Sequence, residues 1–295
     1  MTDESADQST GQSKANDSAK PNGVLPPDLQ KRILSGLAVA AIALLAVFAG
    51  PVPFAVLTLL IAAVMSWEWG RVVRSEGFDT IGWVHVTCVA VAAVLAGLGM
   101  AGLAVAAVMI GAIAVLALSF GGTTTQLSSL GVLYTGLPLI SLIWLRSDEP
   151  LGFLAVVFVL LVVAITDTAA FVSGKLAGGP KLAPTISPGK TWAGLIGGVV
   201  SAGIAAALFS RVTGTGSIYW LAALGLILGL VAQGGDLAES ALKRRFGLKD
   251  ASDLIPGHGG FMDRMDGVVT AALAAGLLAL AIDPYAPARA LLYGS

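Results

Sequence analysis

The residues with the clearest chemical potential lie between Gln233 and Gly267, in a stretch that reads QGGDLAESALKRRFGLKDASDLIPGHGGFMDRMDG. Asp236, Asp263 and Asp266 in this stretch adjoin long apolar segments, which places their carboxylates near a membrane boundary. Acids at that depth are costly and are usually paired or functional. Mg²⁺ takes one or two carboxylates and leaves positions for phosphate oxygens. We therefore predict that these three aspartates form a site for a divalent cation.

A structural interpretation competes with this assignment. Asp236 or Glu239 could form a salt bridge with a basic neighbour, since Asp236 and Lys243 share one helical face. Asp263 and Asp266 precede a final apolar run that is too short to span a membrane alone, so the last helix should begin near Asp263. Acids are favourable in the first turn of a helix. That placement explains one aspartate well and two with difficulty.

Basic residues and glycines beside the acids could hold phosphate groups. Lys243 and Arg244 are either phosphate clamps or residues that fix membrane orientation. Gly259 and Gly260 allow backbone N–H groups to approach an anion closely. His258 is either a phosphate contact or proton carrier, or a loop residue with a structural hydrogen bond. The candidates in this stretch are Lys243, Arg244, Lys249, His258, Gly259, Gly260 and Arg264.

A second polar stretch runs from Asp167 to Gly194 and has the turn residues of an ordered loop. Asp167 ends an apolar run and either completes the metal site or orients a lysine. Ser187 and Thr191 flank Lys190 directly before a predicted helix. A hydroxyl there is an ordinary helix cap, but a helix start is also a phosphate site. The adjacent Lys190 favours the phosphate site, which makes all three residues candidates for substrate binding.

Long apolar helices must position these groups. The chain is 56% hydrophobic and 12% charged, far below the charged fraction of a soluble domain. Ile33–Trp67 and Thr80–Leu145 contain no Lys, Arg, Asp or Glu, and about 20 apolar residues span a membrane as a helix. We predict an all-α polytopic integral membrane protein, because backbone groups in lipid must bond within their own segment. The predicted helices are 32–49, 52–70, 81–99, 101–120, 127–146, 151–174, 192–211, 217–242 and 263–283.

The distribution of basic residues predicts the orientation. With the N-terminus in the cytoplasm, twelve Lys and Arg residues outside the tail fall on the inner side and three on the outer side. Both polar stretches then face the cytoplasm. Glu68, Arg71 and Arg74 end the second helix and are interpreted, with Trp67 and Trp69, as an interface anchor. We divide the chain into a disordered cytoplasmic tail (1–30), N-terminal transmembrane helices (31–150) and a C-terminal transmembrane catalytic region (151–295).

The segment Ser240 to Asp266 resembles the phosphatidate cytidylyltransferase family, also called CDP-diacylglycerol synthases. Its matching positions are Ser240, Leu242, Lys243-Arg244, Lys249-Asp250, Ser252, Ile255-Pro256, His258-Gly259-Gly260, Phe261, Asp263-Arg264 and Asp266. The earlier stretch also matches, at Asp167-Thr168, Gly174, Lys175, Lys181, Pro184, Ile186-Ser187-Pro188 and Lys190-Thr191. Phe171, Gly189 and Ala193 depart from the Tyr, Lys and Glu that family members often carry. The N-terminal helices resemble the family only in general character.

The resemblance implies transfer of a cytidylyl group from CTP to phosphatidic acid, with release of pyrophosphate and a requirement for Mg²⁺. A second cation is left open, and so is a homodimer. The implied setting is the cell membrane, with membrane lipids around the chain and no nucleic acid as a partner. Asp236, Asp263, Asp266, Lys243, Arg244 and His258 would then be catalytic residues at the cytoplasmic face.

Three rival functions make different predictions. A phosphatidyltransferase that consumes CDP-diacylglycerol carries Asp-Gly-any-any-Ala-Arg, a pattern that fails here because Val-Val-Thr-Ala follows Asp266-Gly267. A lipid-phosphate kinase would produce CDP from CTP, and not pyrophosphate. A transporter usually has its polar site near the bilayer midplane between matched repeats, whereas the acids here cluster toward one surface.

Overall fold

The computed structural model describes residues 27–122, 124–254 and 259–295. Helices account for nearly all of this structure, and a single two-stranded hairpin lies among them in the described ranges. The elements are α1 (Pro27–Ala49), α2 (Pro51–Arg74), α3 (Thr80–Gly97), α4 (Ala101–Leu118), α5 (Thr125–Ser147), α6 (Gly152–Ala177), β1 (Lys181–Ala183), β2 (Ser187–Thr191), α7 (Trp192–Thr213), α8 (Ile218–Arg245), α9 (Met262–Ile282) and α10 (Pro287–Tyr293).

The predicted all-α membrane fold is confirmed. Eight helices of the described chain, α2 to α9, are long and apolar enough to cross a membrane, and α1 contains a shorter apolar stretch at Ala38–Ala49. Each predicted helix has a counterpart with shifted ends. α1 begins at Pro27, so residues 27–30 are helical and not part of a disordered tail; residues 1–26 lie outside the described structure. The orientation and the exact number of spans stay predictions.

Helices α2 to α5 pack together in the N-terminal half around a core that includes Val89, Val108 and Ile143. α5 is continuous although Pro138 lies within it, as membrane helices tolerate when their neighbours supply packing. Gly131 on α5 lies against the indole ring of Trp69, and a Cβ there would be 2.4 Å from that ring. The glycines of this helix therefore permit close packing and do not end the helix.

Helices α6 to α9 form the C-terminal half, with Phe158, Leu221 and Leu228 in its core. Small residues bring α7 and α8 into close contact: a Cβ on Gly225 would be 2.5 Å from the Cβ of Ala206. Close approach through small residues is typical of membrane helices, whose association relies on van der Waals contact.

Three short elements, the two strands of a hairpin and the helix α10, were not predicted. β1 and β2 pair antiparallel, with Ala183 opposite Ser187, where only an ordered loop was expected. A strand pair of this length gives too little periodicity to be recognised in the sequence. α10 covers seven residues beside the α5–α6 connection, where Asp148 accepts the N–H of Ala288 at 2.7 Å. Its buried Leu291 and Leu292 complete the core at that end.

A third cluster joins the two halves. Met65, Trp69 and Val72 of α2 pack against Met262 and Val269 of α9. The start of α9 therefore rests on the N-terminal helices, directly beside the segment that carries the predicted acidic site.

Candidate active site

A cavity of about 310 Å³ brings most of the predicted acidic residues together. α6 and α8 extend ten and nine residues past Asp167 and Asp236, roughly 14–15 Å of helix each. The cavity is therefore recessed among helix ends and does not lie on the outer surface of the bundle. Its lining residues are Asp167, Asp236, Lys243, Asp250, Asp263, Arg264 and Asp266.

Asp263 and Lys243 form the buried centre of this cavity. The Lys243 ammonium contacts the Asp263 carboxylate directly and lies 3.2 Å from Oε1 of Glu239. The second oxygen of Asp263, Oδ2, accepts the backbone N–H groups of Ala251 at 2.9 Å and Gly260 at 2.7 Å. A lysine between two acids balances part of their charge, and the assignment of Lys243 to phosphate binding stays a prediction.

Asp236 is held by residues from two elements. Its Oδ2 lies 2.6 Å from the Lys190 ammonium of β2, and Ser240 donates to Oδ1 at 3.4 Å. Gln233, one turn earlier on α8, donates to Oδ1 of Asp167 at 3.0 Å. The ion-pair interpretation of Asp236 is thus correct in geometry, and the aspartate lines the cavity as well.

Asp263 lies in the first turn of α9, as predicted, whereas Asp266 begins the second turn. The prediction that both occupy the first turn is wrong for Asp266, because the helix begins only one residue before Asp263. Asp266 still lines the cavity, since three residues carry it nearly once around the helix.

The other basic candidates differ in their positions relative to the cavity. Arg264 lines the cavity. Arg244 is exposed and donates to the carbonyls of Ile186 and Leu248, both at 3.2 Å, so it attaches the hairpin to the end of α8. Lys249 is exposed beyond that helix end. Their assignment to phosphate binding stays a prediction.

Thr191 is the N-cap of α7, because its hydroxyl accepts the N–H of Gly194 at 3.0 Å. This hydroxyl is buried and engaged, which supports the capping interpretation. Ser187 lies at the other end of β2, partly exposed. The hairpin thus presents Lys190 to Asp236 from a position one residue before the α7 cap.

Gly259 and Gly260 lie directly against the carboxylate of Asp263. Gly259 has a φ of 81°, in the left-handed region. A Cβ on Gly259 would lie 2.7 Å from Oδ2 of Asp263. The N–H of Gly260 is donated to the same oxygen. The predicted His258 lies outside the described residues.

Two further cavities flank the acidic one. A cavity of about 220 Å³ lies between the hairpin and the helices α6 to α8, and Asp167 and Asp236 border it. A larger apolar cavity of about 460 Å³ lies between α1, α6 and α9, with Asp167 and Arg264 among its lining residues. Asp167 therefore borders all three spaces, one of them polar and one apolar.

The donor set fits a hard divalent cation. Five aspartates line one cavity, and oxygen ligands suit Mg²⁺. Among residues whose positions are described, no three Asp, Glu, His or Cys side chains converge closely enough to enclose a metal. Mg²⁺ normally keeps several water or phosphate ligands, so a site formed by one or two of these carboxylates is consistent with this geometry.

Sequence reasoning missed Glu68. The predicted role in an interface anchor is wrong for Glu68, because this side chain is 0 % exposed and bonds to the segment that begins α9. The one available signal was an acid at the end of an apolar span, and that signal does not identify a partner almost 200 residues away.

The fold and the site define a polytopic helical membrane protein with a recessed acidic and basic cavity at one end of its bundle. The family model described as "Cytidylyltransferase family" matches residues 30–281. The chain belongs to this family.

Curated relatives agree with this assignment. The chain is 37% identical over 248 residues to a phosphatidate cytidylyltransferase of Brucella suis, an alignment that covers 83% of this chain and 91% of the relative. The protein of the same name from Brucella melitensis gives the same values. One from Rickettsia bellii is 39% identical over 151 residues, covering 48% of this chain and 64% of that protein.

Proposed function

We propose that this chain transfers the cytidylyl group of CTP to phosphatidic acid, forming CDP-diacylglycerol and pyrophosphate. The observation that carries the proposal is the 37% identity to a protein named phosphatidate cytidylyltransferase over 91% of its length. The arrangement of charged side chains in the cavity supports the same reaction independently of this sequence identity.

The reaction needs no protein nucleophile. A phosphate oxygen of the lipid attacks the α-phosphorus of CTP, a new P–O bond forms, and the bond from that phosphorus to the β-phosphate oxygen breaks as pyrophosphate leaves. The main obstacle is repulsion between two polyanions, so positioning and electrostatics supply most of the catalysis. Lys190 and Lys243 hold cavity carboxylates, and Arg264 lines the same space. These three side chains place positive charge where phosphate oxygens would bind.

One or two of the carboxylates of Asp236, Asp263 and Asp266 would hold Mg²⁺, with water or phosphate oxygens at the other positions, and Asp167 either joins them or orients a lysine. When bound, Mg²⁺ would neutralise phosphate charge and align the attacking and departing oxygens. The carboxylates of Asp236 and Asp263 are already fixed by lysines and backbone N–H groups, which limits their reorientation during a reaction.

The flanking cavities suit two dissimilar substrates. The apolar cavity between α1, α6 and α9 would take the acyl chains of phosphatidic acid, with its phosphate toward Arg264. CTP would approach from the aqueous side of the acidic cavity. Placement of this side in the cytoplasm, at the cell membrane, follows the positive-inside rule.

The direct test mixes purified protein with CTP, phosphatidic acid and Mg²⁺ and measures pyrophosphate. We expect release that requires both substrates and that stops in the absence of Mg²⁺. Production of CDP would indicate a kinase, and solute transport without nucleotide chemistry would indicate a transporter. Absence of pyrophosphate from the folded wild-type protein would refute the proposed function.

Two variants test the predicted metal ligands. Asp236→Ala and Asp263→Ala should each lose nearly all turnover, whereas Asp253→Ala, an exposed aspartate of the same connecting segment, should retain it. Normal CTP-dependent turnover in either of the first two folded variants would remove that residue from the proposed metal site.

A further inference from the structure

Glu68 connects the N-terminal helices to the proposed catalytic segment. Its side chain is completely buried on α2. Oε1 accepts the Ser252 hydroxyl at 2.5 Å and the N–H of Phe261 at 2.9 Å, and Oε2 accepts the N–H of Met262 at 2.6 Å. All three donors belong to the short segment that leads into α9.

This carboxylate supplies the missing cap of α9. The first N–H groups of a helix have no partner within the helix. Phe261 occupies the N-cap position, and its side chain makes no capping hydrogen bond. The Glu68 carboxylate instead receives the N–H groups of Phe261 and Met262 from another helix, and a negative charge at a helix N-terminus is favourable.

The same segment is held from its other side by Asp263. The N–H groups of Ala251 and Gly260 both bond to Oδ2 of Asp263. A Cβ on Gly260 would lie 2.4 Å from Oε1 of Glu68, and its three nearest atoms would all belong to that glutamate. Gly259 and Gly260 thus lie between two carboxylates, and a side chain at position 260 would displace the Glu68 carboxylate.

We infer that Glu68 is a positioning residue for Asp263. It fixes the N–H groups of the two residues directly before Asp263, and therefore the direction in which the Asp263 carboxylate enters the cavity. Its part in turnover rests on the proposed function, whereas its contact with the turn does not. Groups that orient metal-binding side chains typically change metal affinity or activity by about 10–100-fold when they are removed.

The test compares Glu68→Gln with Ser66→Ala in purified protein. The glutamine amide would direct an N–H group at a backbone N–H and lose one acceptor. Ser66 is a matched control, because it is also buried on α2 and its hydrogen bonds within the described structure go to Ala62 and Thr135. We expect Glu68→Gln to lower kcat about 10–100-fold and to raise the Mg²⁺ concentration for half-maximal activity, with KM for CTP within about threefold of wild type. Ser66→Ala should leave all three values unchanged.

Hydrogen–deuterium exchange supplies a readout that does not depend on activity. In Glu68→Gln, faster exchange should be confined to peptides that cover residues 251–263, while α3 and α4 remain protected. A purely structural role would raise exchange throughout the bundle and lower the melting temperature without changing the Mg²⁺ requirement, and that result would overturn the inference. Wild-type kcat with wild-type exchange would overturn it equally.

Ser252→Ala provides a second variant if Glu68→Gln does not fold. It removes one of the three contacts and should produce a smaller change of the same kind in kcat and in exchange over residues 251–263. Wild-type values for both would refute the inference. If wild-type protein releases no pyrophosphate, the proposed function fails, and the exchange measurements alone decide whether Glu68 positions the turn.

Discussion

Individual side chains show why charge in this cavity had two plausible interpretations. An acid near a membrane boundary can be an ion-pair partner or a functional group. Asp236 is ion-paired with Lys190 and also lines the acidic cavity. The two interpretations are therefore compatible, because a lysine that balances an aspartate lies within reach of any phosphate bound beside it.

Lys243 provides the most direct test of the role proposed for positive charge in the cavity. Its ammonium lies between the buried Glu239 and Asp263. Replacement by methionine, Lys243→Met, would leave both acids without this counter-charge. Loss of one partner from a buried pair costs about 3–5 kcal/mol, and loss of one preorganised electrostatic group costs about 100-fold in kcat or more. We expect both a lower melting temperature and a loss of pyrophosphate release of at least about 100-fold.

The exposed Arg245, two residues later on the same helix, is the control for Lys243. An exposed basic residue at the end of an apolar helix is typical of residues that set membrane orientation, so Arg245→Ala should retain turnover within about twofold. Equal losses in the two variants would show that total positive charge matters and that the position of Lys243 does not.

At the level of elements, the hairpin and the two helix starts bring the cavity together. β2 presents Lys190 and ends at Thr191, which caps α7. α9 begins one residue before Asp263 and has its cap on α2. Helix termini therefore set the positions of two proposed substrate or metal contacts.

Thr191 distinguishes a capping hydroxyl from a phosphate contact. Loss of an N-cap costs about 1 kcal/mol. Thr191→Val should therefore lower the free energy of unfolding by about that amount and leave KM for CTP nearly unchanged, and Thr191→Ser should restore stability. Thermal denaturation and steady-state kinetics measure the two effects. A raised KM for CTP with unchanged stability would instead favour phosphate binding.

Across the whole molecule, the N-terminal helices contact the half that carries the proposed site, and do more than anchor the chain in the membrane. The cluster that contains Trp69 and Met262 packs α2 against α9, and Glu68 bonds to the turn beside it. The apolar cavity proposed for the acyl chains is lined in part by α1. The proposed lipid and metal sites therefore depend on both halves.

The orientation of the chain in the membrane is a property of the whole molecule that labelling can test. Cys88 is the only cysteine, so Cys88→Ala gives a background for single-cysteine variants. Thr185→Cys lies in the exposed hairpin turn at the acidic end, and Tyr285→Cys lies beside α10 at the opposite end. In intact cells, a membrane-impermeant maleimide should label position 285 and should label position 185 only after permeabilisation. The reverse pattern would invert the predicted orientation.

The sequence by itself determined the class of fold and the identity of the main polar groups. Uninterrupted apolar runs of span length require helices in lipid, and motif spacing around Asp236 and Asp263 is local. The sequence could not show why α5 carries glycines, because Gly131 lies against Trp69 and Gly136 against Val108, and neither contact is local.

Only the tertiary structure decided which residues meet. The bonds from Glu68 to Phe261 and Met262 join positions 193 and 194 residues apart, and the Lys190–Asp236 pair joins a hairpin to a helix. Such contacts have no sequence period, since they arise where separate helices end at the same level of the bundle. The chain therefore encodes its chemical groups locally, while packing between helices fixes the direction in which each group points.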